Sequence, residues 1–131
     1  QYLNNALKID PKSTEVVYMI AKFYQDSKKY NLAIDAYNKL LQMDAGHKNA
    51  LYNLGAIEYV AGKDKEKAKT YFSKAIEIDP QYAEAYFARG ICYEDLKDID
   101  NAIADYKMAV QYKPNYESAI KNLNRLLERK K

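Results

Sequence analysis

AEAYFARGICYEDLKDIDNAIADYKMAVQYKPNY, residues 83–116, is the stretch whose reading decides the fold. It holds two apolar runs at helical spacing, Tyr86, Gly90 and Tyr93 in the first and Ala102, Tyr106 and Ala109 in the second, and Pro114 closes it. The same pattern recurs upstream. Pro80 and Pro114 are 34 residues apart, and Pro11 and Pro80 are 69 apart, one period of 34 and one of 35 if Ala45 stands in for the missing middle proline. A period of this length built from paired helices marks a stacked solenoid rather than a globular enzyme.

Working outward, the units are residues 14–47, 48–82 and 83–116. The middle unit carries its extra residue near Gly62, Lys63 and Asp64, between its two helices. Residues 1–13 read as the second half of a preceding unit, with Leu3 and Ala6 at the places of Tyr106 and Ala109. The chain is therefore expected to be a portion of a longer protein, and its compartment stays open. Residues 117–131 supply one more first-type helix, ending in the polar run Glu128 to Lys131, as a solenoid requires of the helix that covers its open end. Eight helices are expected, at 1–9, 13–27, 30–43, 48–61, 64–78, 82–95, 99–112 and 116–129, with no segment that alternates long enough to be a strand. Each proline pushes the residue before it out of helical space. Gly46 and Gly62 are expected to take the left-handed conformation that closes a helix, and Asp64 and Asp98 to cap the next one.

Composition narrows the function classes. Of 131 residues, 48% are hydrophobic and 30% charged, enough for a core and a hydrated surface within one domain. A net charge of +3, from 21 basic against 18 acidic residues, leaves no unopposed cationic stripe for nucleic acid. No apolar stretch approaches the roughly 20 residues of a membrane span. The single cysteine, Cys92, has no internal disulfide partner, and with the single histidine, His47, it does not assemble a zinc tetrad. Cys92 reads as a small buried residue and His47 as an exposed turn residue. The four glycines form no phosphate loop. Glu94-Asp95 and the Lys63 to Lys69 run read as solvated helix faces. No catalytic site, cofactor or metal is expected.

Small residues set the packing. Ala21, Gly55 and Gly90 share one place on the first helices, and Ala33, Ala68 and Ala102 share one on the second. Helices approach closely only where side chains are short, and Tyr24, Tyr93, Tyr37, Phe72 and Tyr106 fill the space beside them.

These residues resemble the tetratricopeptide repeat family, whose signature runs a large residue, Leu, Gly or Ala, and Tyr along the first helix, then Ala, an aromatic, Ala and Pro along the second. The third unit supplies Tyr86, Gly90, Tyr93, Ala102, Tyr106, Ala109 and Pro114; the second Leu51, Leu54, Gly55, Ala68, Phe72, Ala75 and Pro80; the first Val17, Ile20, Ala21, Tyr24, Ala33 and Tyr37. Leu40 and Ala45 depart from the pattern in the first unit. Arg89 stands where the family has leucine, and Asp105 on the facing helix is its expected ion-pair partner. The resemblance implies an all-α, right-handed superhelix of antiparallel helix pairs: three full units, a preceding half-unit helix and a capping helix.

It also implies a concave groove lined by the first helices, in which a scaffold of this kind holds a peptide or helix of another protein. The carried-over groove positions are Glu15, Tyr18, Met19, Lys22 and Gln25, then Asn49, Tyr52, Asn53, Ala56 and Tyr59. Further along come Glu84, Phe87, Ala88, Ile91 and Glu94, and on the last helix Lys121, Asn122 and Arg125. Tyr18, Tyr52 and Phe87 share one place in successive units, an aromatic ladder suited to an extended peptide or to repeat ancestry alone. Members that bind chaperone C-termini use a clamp of Lys, Asn and Arg; here its places hold Tyr18, Lys22, Asn53, Glu84 and Ala88, so a chaperone tail is disfavoured. The alternatives are a structural or self-associating element, using an apolar face left open at Gln1 to Ile9, and a non-catalytic arm of an enzyme whose active domain lies elsewhere.

Overall fold

The structure is a computed structural model that describes residues 13–130. The expected helix at 1–9, with Leu3, Ala6 and Pro11, lies outside the described residues. Within them run seven helices and no strand: α1 (Thr14–Asp26), α2 (Tyr30–Met43), α3 (Lys48–Ile57), α4 (Lys65–Ile78), α5 (Ala83–Asp95), α6 (Ile99–Tyr112) and α7 (Glu117–Arg129). The closest contacts lie within the pairs α1–α2, α3–α4 and α5–α6, and each pair also packs on the next. The result is the expected all-α superhelix.

The small residues determine how close the pairs come. Ala21, Ala33, Ala68 and Ala102 are fully buried. A Cβ placed on Gly55 would lie 2.6 Å from Cε1 of Phe72, and one on Gly90 would lie 2.7 Å from Cε1 of Tyr106. Each ring therefore lies flat against bare backbone of its partner helix. The core is a succession of small clusters: Val17, Tyr37, Leu40, Leu54 and Ile57 join α1, α2 and α3, while Tyr106 and Leu126 join α6 to α7. Leu40, a departure from the small-residue pattern, is fully buried in the first of these.

The turns within pairs differ from expectation in one respect. No glycine has positive φ; the left-handed residues are Lys28 (φ 61), Lys63 (φ 55) and Lys97 (φ 67). Gly46 and Gly62 therefore do not close their helices by left-handed geometry. The Lys29 amide donates to the Tyr24 carbonyl and the Asp98 amide to the Tyr93 carbonyl, each spanning five residues. In the middle pair the Asp64 amide donates to the Glu58 carbonyl, a span of six. The extra residue is thus taken up one turn earlier than expected, by a π-helical turn at Glu58–Gly62. Asp64 and Asp98 do cap α4 and α6 through the amides of Lys67 and Asn101.

The turns between pairs share one geometry with or without proline. Asp44, Asp79 and Lys113 are all extended, with φ of −148°, −132° and −141°. Asp44 and Asp79 each accept, through Oδ1, the amide two residues on, that of Gly46 and of Gln81 at 3.1 Å. The same side-chain turn thus forms whether the next residue is Ala45 or Pro80.

Arg89 meets its expected partner. Its Nε and Nη2 each lie 2.8 Å from an oxygen of Asp105, and Nη1 donates to the Ser73 hydroxyl at 3.1 Å, so one guanidinium ties α4, α5 and α6. The rings of Tyr86 and Tyr93 flank it at 5.7 and 5.8 Å. Such a pair is costly to break one-sidedly, because the survivor is left buried and unpaired.

The Gly90→Val and Ala75→Leu variants are each expected to lose about 1–3 kcal/mol by overpacking a helix contact. Gly46→Ala should be neutral or gain up to about 1 kcal/mol, because its φ is negative and a Cβ there meets only Asp44 and Ile78 at 3.7 Å or more. Urea unfolding of the three variants checks both signs.

Candidate partner-binding groove

The first-helix positions carried over from the resemblance lie on α1, α3, α5 and α7, with Tyr59 on the π-helical turn that follows α3. Tyr18, Tyr52 and Phe87 are half-buried, and they do not form one continuous stack. Each sits in its own three-ring cluster. Tyr18 lies 6.2 Å from Tyr37 and 5.2 Å from His47. Tyr52 lies 5.5 Å from Phe72 and 5.4 Å from Tyr82, and Phe87 5.8 Å from Tyr106 and 4.9 Å from Tyr116. In every cluster the second ring comes from the partner helix of the same pair, and the third precedes the first helix of the next pair. The ladder rungs therefore use one face to join units and leave the other toward solvent.

Of the third rings, Tyr82 and Tyr116 were not singled out in the sequence, and His47 was read there only as a turn residue. His47, Tyr82 and Tyr116 recur with the period, which was the available signal, but they fall at helix starts rather than on the helical stripe. His47 is not an exposed turn residue: it is half-buried, and its Nδ1 accepts the Ala50 amide at 3.1 Å as the cap of α3.

Most polar groove residues are already engaged. Asn53, buried, donates to the Tyr18 hydroxyl at 3.2 Å. The Tyr37 hydroxyl donates to Gln25, and the Tyr82 hydroxyl to Asn49 at 2.9 Å. Lys22 pairs with Asp26 one turn on at 3.8 Å, an exposed contact of little energetic weight. Glu84 is 3.3 Å from Lys113. Glu94, read from the sequence as part of a solvated face, is the best-held carboxylate of the row. Arg125 grips it from α7 at 2.7 and 3.0 Å, and the Tyr106 hydroxyl donates to it at 2.9 Å. Arg125 and Tyr106 together hold the Glu94 carboxyl below its ordinary range. Asn122 reaches Tyr106 as well, and Lys121 is exposed.

The aliphatic positions behave differently. Ala56, Ala88 and Ile91 are half-buried and border a small apolar pocket of about 110 Å³ between α3 and α5. Beside it, the Tyr59 hydroxyl donates to Asp95, and burial pushes that phenol up to about 12. Cys92 is fully buried next to Ala68 and Phe72, and desolvation raises its thiol to about 12. A thiol in that state is not a nucleophile near neutral pH. Among the described residues no cluster of three or more His, Cys, Asp or Glu is placed to hold a metal ion, and no helix is long and apolar enough to cross a membrane.

The held carboxylates make a pH prediction. Arg125 lowers Glu94, and Lys48, with the Gln81 amide, lowers Asp79. A lowered folded-state value contributes stability above the ordinary carboxylate range, about 4, that is lost as pH falls through it. Thermal melts from pH 7 to 3 should show a falling midpoint below about pH 4.5, and the Glu94→Gln variant should show a shallower fall. An unchanged slope in the variant would count against Glu94 as a contributor.

Comparison with known proteins places this geometry. Tetratricopeptide repeat profiles match residues 18–83 and 83–116. A UDP-N-acetylglucosamine–peptide N-acetylglucosaminyltransferase of Giardia intestinalis is 32% identical over 91 residues, 70% of this chain but 6% of that protein. The probable transferase SPINDLY of Hordeum vulgare is 31% identical over 116 residues, 83% of this chain and 12% of that protein. The chain thus spans only a small part of these relatives. Among solved structures, MamA superposes with a TM-score of 0.86 at 28% identity, covering 98% of this chain and 74% of MamA. The first repeat domain of Spaghetti (RPAP3), solved with the HSP90 peptide SRMEEVD, gives 0.82 at 24% identity over 91% of this chain and 94% of that one, a likeness of fold. With its helix pairs, small-residue contacts and profile matches in agreement, the chain belongs to the tetratricopeptide repeat family.

Proposed function

We propose that this chain is a protein–protein interaction module that holds a peptide or helix of a partner along the face made by α1, α3, α5 and α7. In this reading residues 14–47, 48–82 and 83–116 are its three working units, residues 1–13 the end of a preceding one, and 117–131 the closing helix. The observation that carries the proposal is the repetition of a half-buried ring, Tyr18, Tyr52 and Phe87, at one place on successive first helices. Rings fixed on one side by packing offer contact area at low entropic cost on the other.

The ligand class differs from that of the Spaghetti repeat domain. At the clamp places this chain has Tyr18, Lys22, Asn53, Glu84 and Ala88. Asn53 is spent on Tyr18, and Glu84 would set a negative charge against a terminal carboxylate. A chaperone tail is therefore not the expected partner. As in the transferase relatives, of which the match covers 6% and 12%, any catalysis by a longer protein would reside outside this chain.

A second reading, self-association, has its own observation: Met19 and Phe23 on α1 are 57% and 52% exposed, and Leu127 on α7 is 39% exposed. Sedimentation velocity over a hundredfold concentration range separates the two, since end-to-end stacking gives a rising mean mass and a peptide-binding monomer does not.

For the first reading the test is an NMR titration of the isotopically labelled chain with a peptide selected on it from a displayed random dodecapeptide library. Amide shifts concentrated on α1, α3, α5 and α7 are expected, together with at least tenfold weaker binding by a folded Phe87→Ala variant. Shifts confined to α2, α4 and α6, or failure of the library to yield any binder, would remove the proposal.

A further inference from the structure

Ala56 on α3 and Ala88 on α5 leave a gap in the groove wall. The gap is apolar, floored by the Phe72 ring and bounded by Ile91 and by Val60, which is 57% exposed. At about 110 Å³ it is well below the roughly 300 Å³ at which small-molecule sites begin, and its size suits one aliphatic side chain.

Tyr59 forms a wall of this gap and also of a neighbouring polar recess of about 440 Å³. Four cations line the recess: Lys63, Lys65, Lys97 and Arg129. Its two carboxylates, Glu94 and Asp95, are already taken, the first by Arg125 and Tyr106 and the second by Tyr59. None of the four cations makes an ion pair within 4 Å among the described residues. Lys63 and Lys97 are two of the three left-handed turn residues, each at the end of a first helix.

We infer that the partner segment carries one aliphatic side chain, which enters the gap between Ala56 and Ala88, with carboxylates to one side of it that lie in the recess of Lys63, Lys65, Lys97 and Arg129. The inference rests on the groove-binding reading above and names the chemistry of its ligand. An apolar gap beside a cationic recess asks for both features in one linear segment. A nucleic acid would satisfy the cations but would leave the aliphatic gap empty. The attraction is exposed to solvent, so it weakens with salt.

The test uses dodecapeptides selected from a random displayed library on the whole 131-residue chain, then synthesised with a fluorescent label and measured by anisotropy. The selected set is expected to be enriched in leucine, isoleucine, valine or methionine followed or preceded within a few residues by aspartate or glutamate. Replacing the aliphatic residue of the peptide by glycine should weaken binding at least tenfold. Replacing its acids by their amides should do the same at 50 mM salt and less at 500 mM. On the protein side, Ala88→Phe and Lys65→Glu should each weaken binding at least tenfold, with melts compared to the parent chain. The peptide substitutions keep the test decisive even if a protein variant fails to fold. Binders that lack acids, or that tolerate both peptide substitutions, would overturn this inference while amide shifts on the first helices still upheld the groove. Binders that shift only the second helices, or no binders at all, would overturn both.

Discussion

The structure depends on one contact made repeatedly: an aromatic ring laid on a helix that has no side chain at that point. Phe72 on Gly55 and Tyr106 on Gly90 bring backbones within reach that any Cβ would hold apart. Close-packed interiors do not yield easily to an added methylene, so the contact sets both the distance and the tilt of a pair. Once the pair is set, its far side presents the stripe on which the next pair packs. In the first pair the corresponding places are held by Ala21 and Tyr37, both fully buried in one cluster. The architecture is thus propagated by neighbours alone, without a central core.

The rings on the groove side have a double duty. Each of Tyr18, Tyr52 and Phe87 is packed against its own pair and against a ring that begins the next. Arg89 does something similar on the other side, where one guanidinium reaches Asp105 and Ser73 at once. Inter-unit stability and partner contact therefore draw on overlapping residues. Substituting a rung perturbs both, and only readouts that report position along the chain distinguish them.

The fold was legible in the sequence because its determinants are periodic and local. Gly55, Gly90, the alanines and the prolines recur at fixed spacing, and Arg89 stood out as the one charge on an apolar stripe, pointing to Asp105. What was not legible depended on geometry that composition does not carry. Gly46 suggested a left-handed turn, yet the Asp44 side chain forms that turn at negative φ, while three lysines occupy the left-handed positions. Glu94 looked like part of an exposed acidic pair until Arg125, 31 residues away, closed on it. His47 looked unremarkable because a capping nitrogen is defined by the amide opposite it. The gap at Ala56 and Ala88 was invisible for a related reason: each alanine is ordinary alone, and only the juxtaposition of α3 and α5 makes them a pair.

The π-helical turn at Glu58–Gly62 bears on how such arrays tolerate change in length. One residue was gained in the middle unit, yet Asp64 still caps α4, and Ala68 and Phe72 still meet α3 at the places their counterparts occupy elsewhere. The slack was absorbed within a single widened loop of backbone, before the following helix began, so nothing downstream had to shift its phase. An array built in this way keeps count of turns rather than of residues. An extra residue at the end of a first helix therefore leaves the architecture intact, while the same insertion inside a second helix, between Asp64 and Phe72, would rotate the ring away from Gly55.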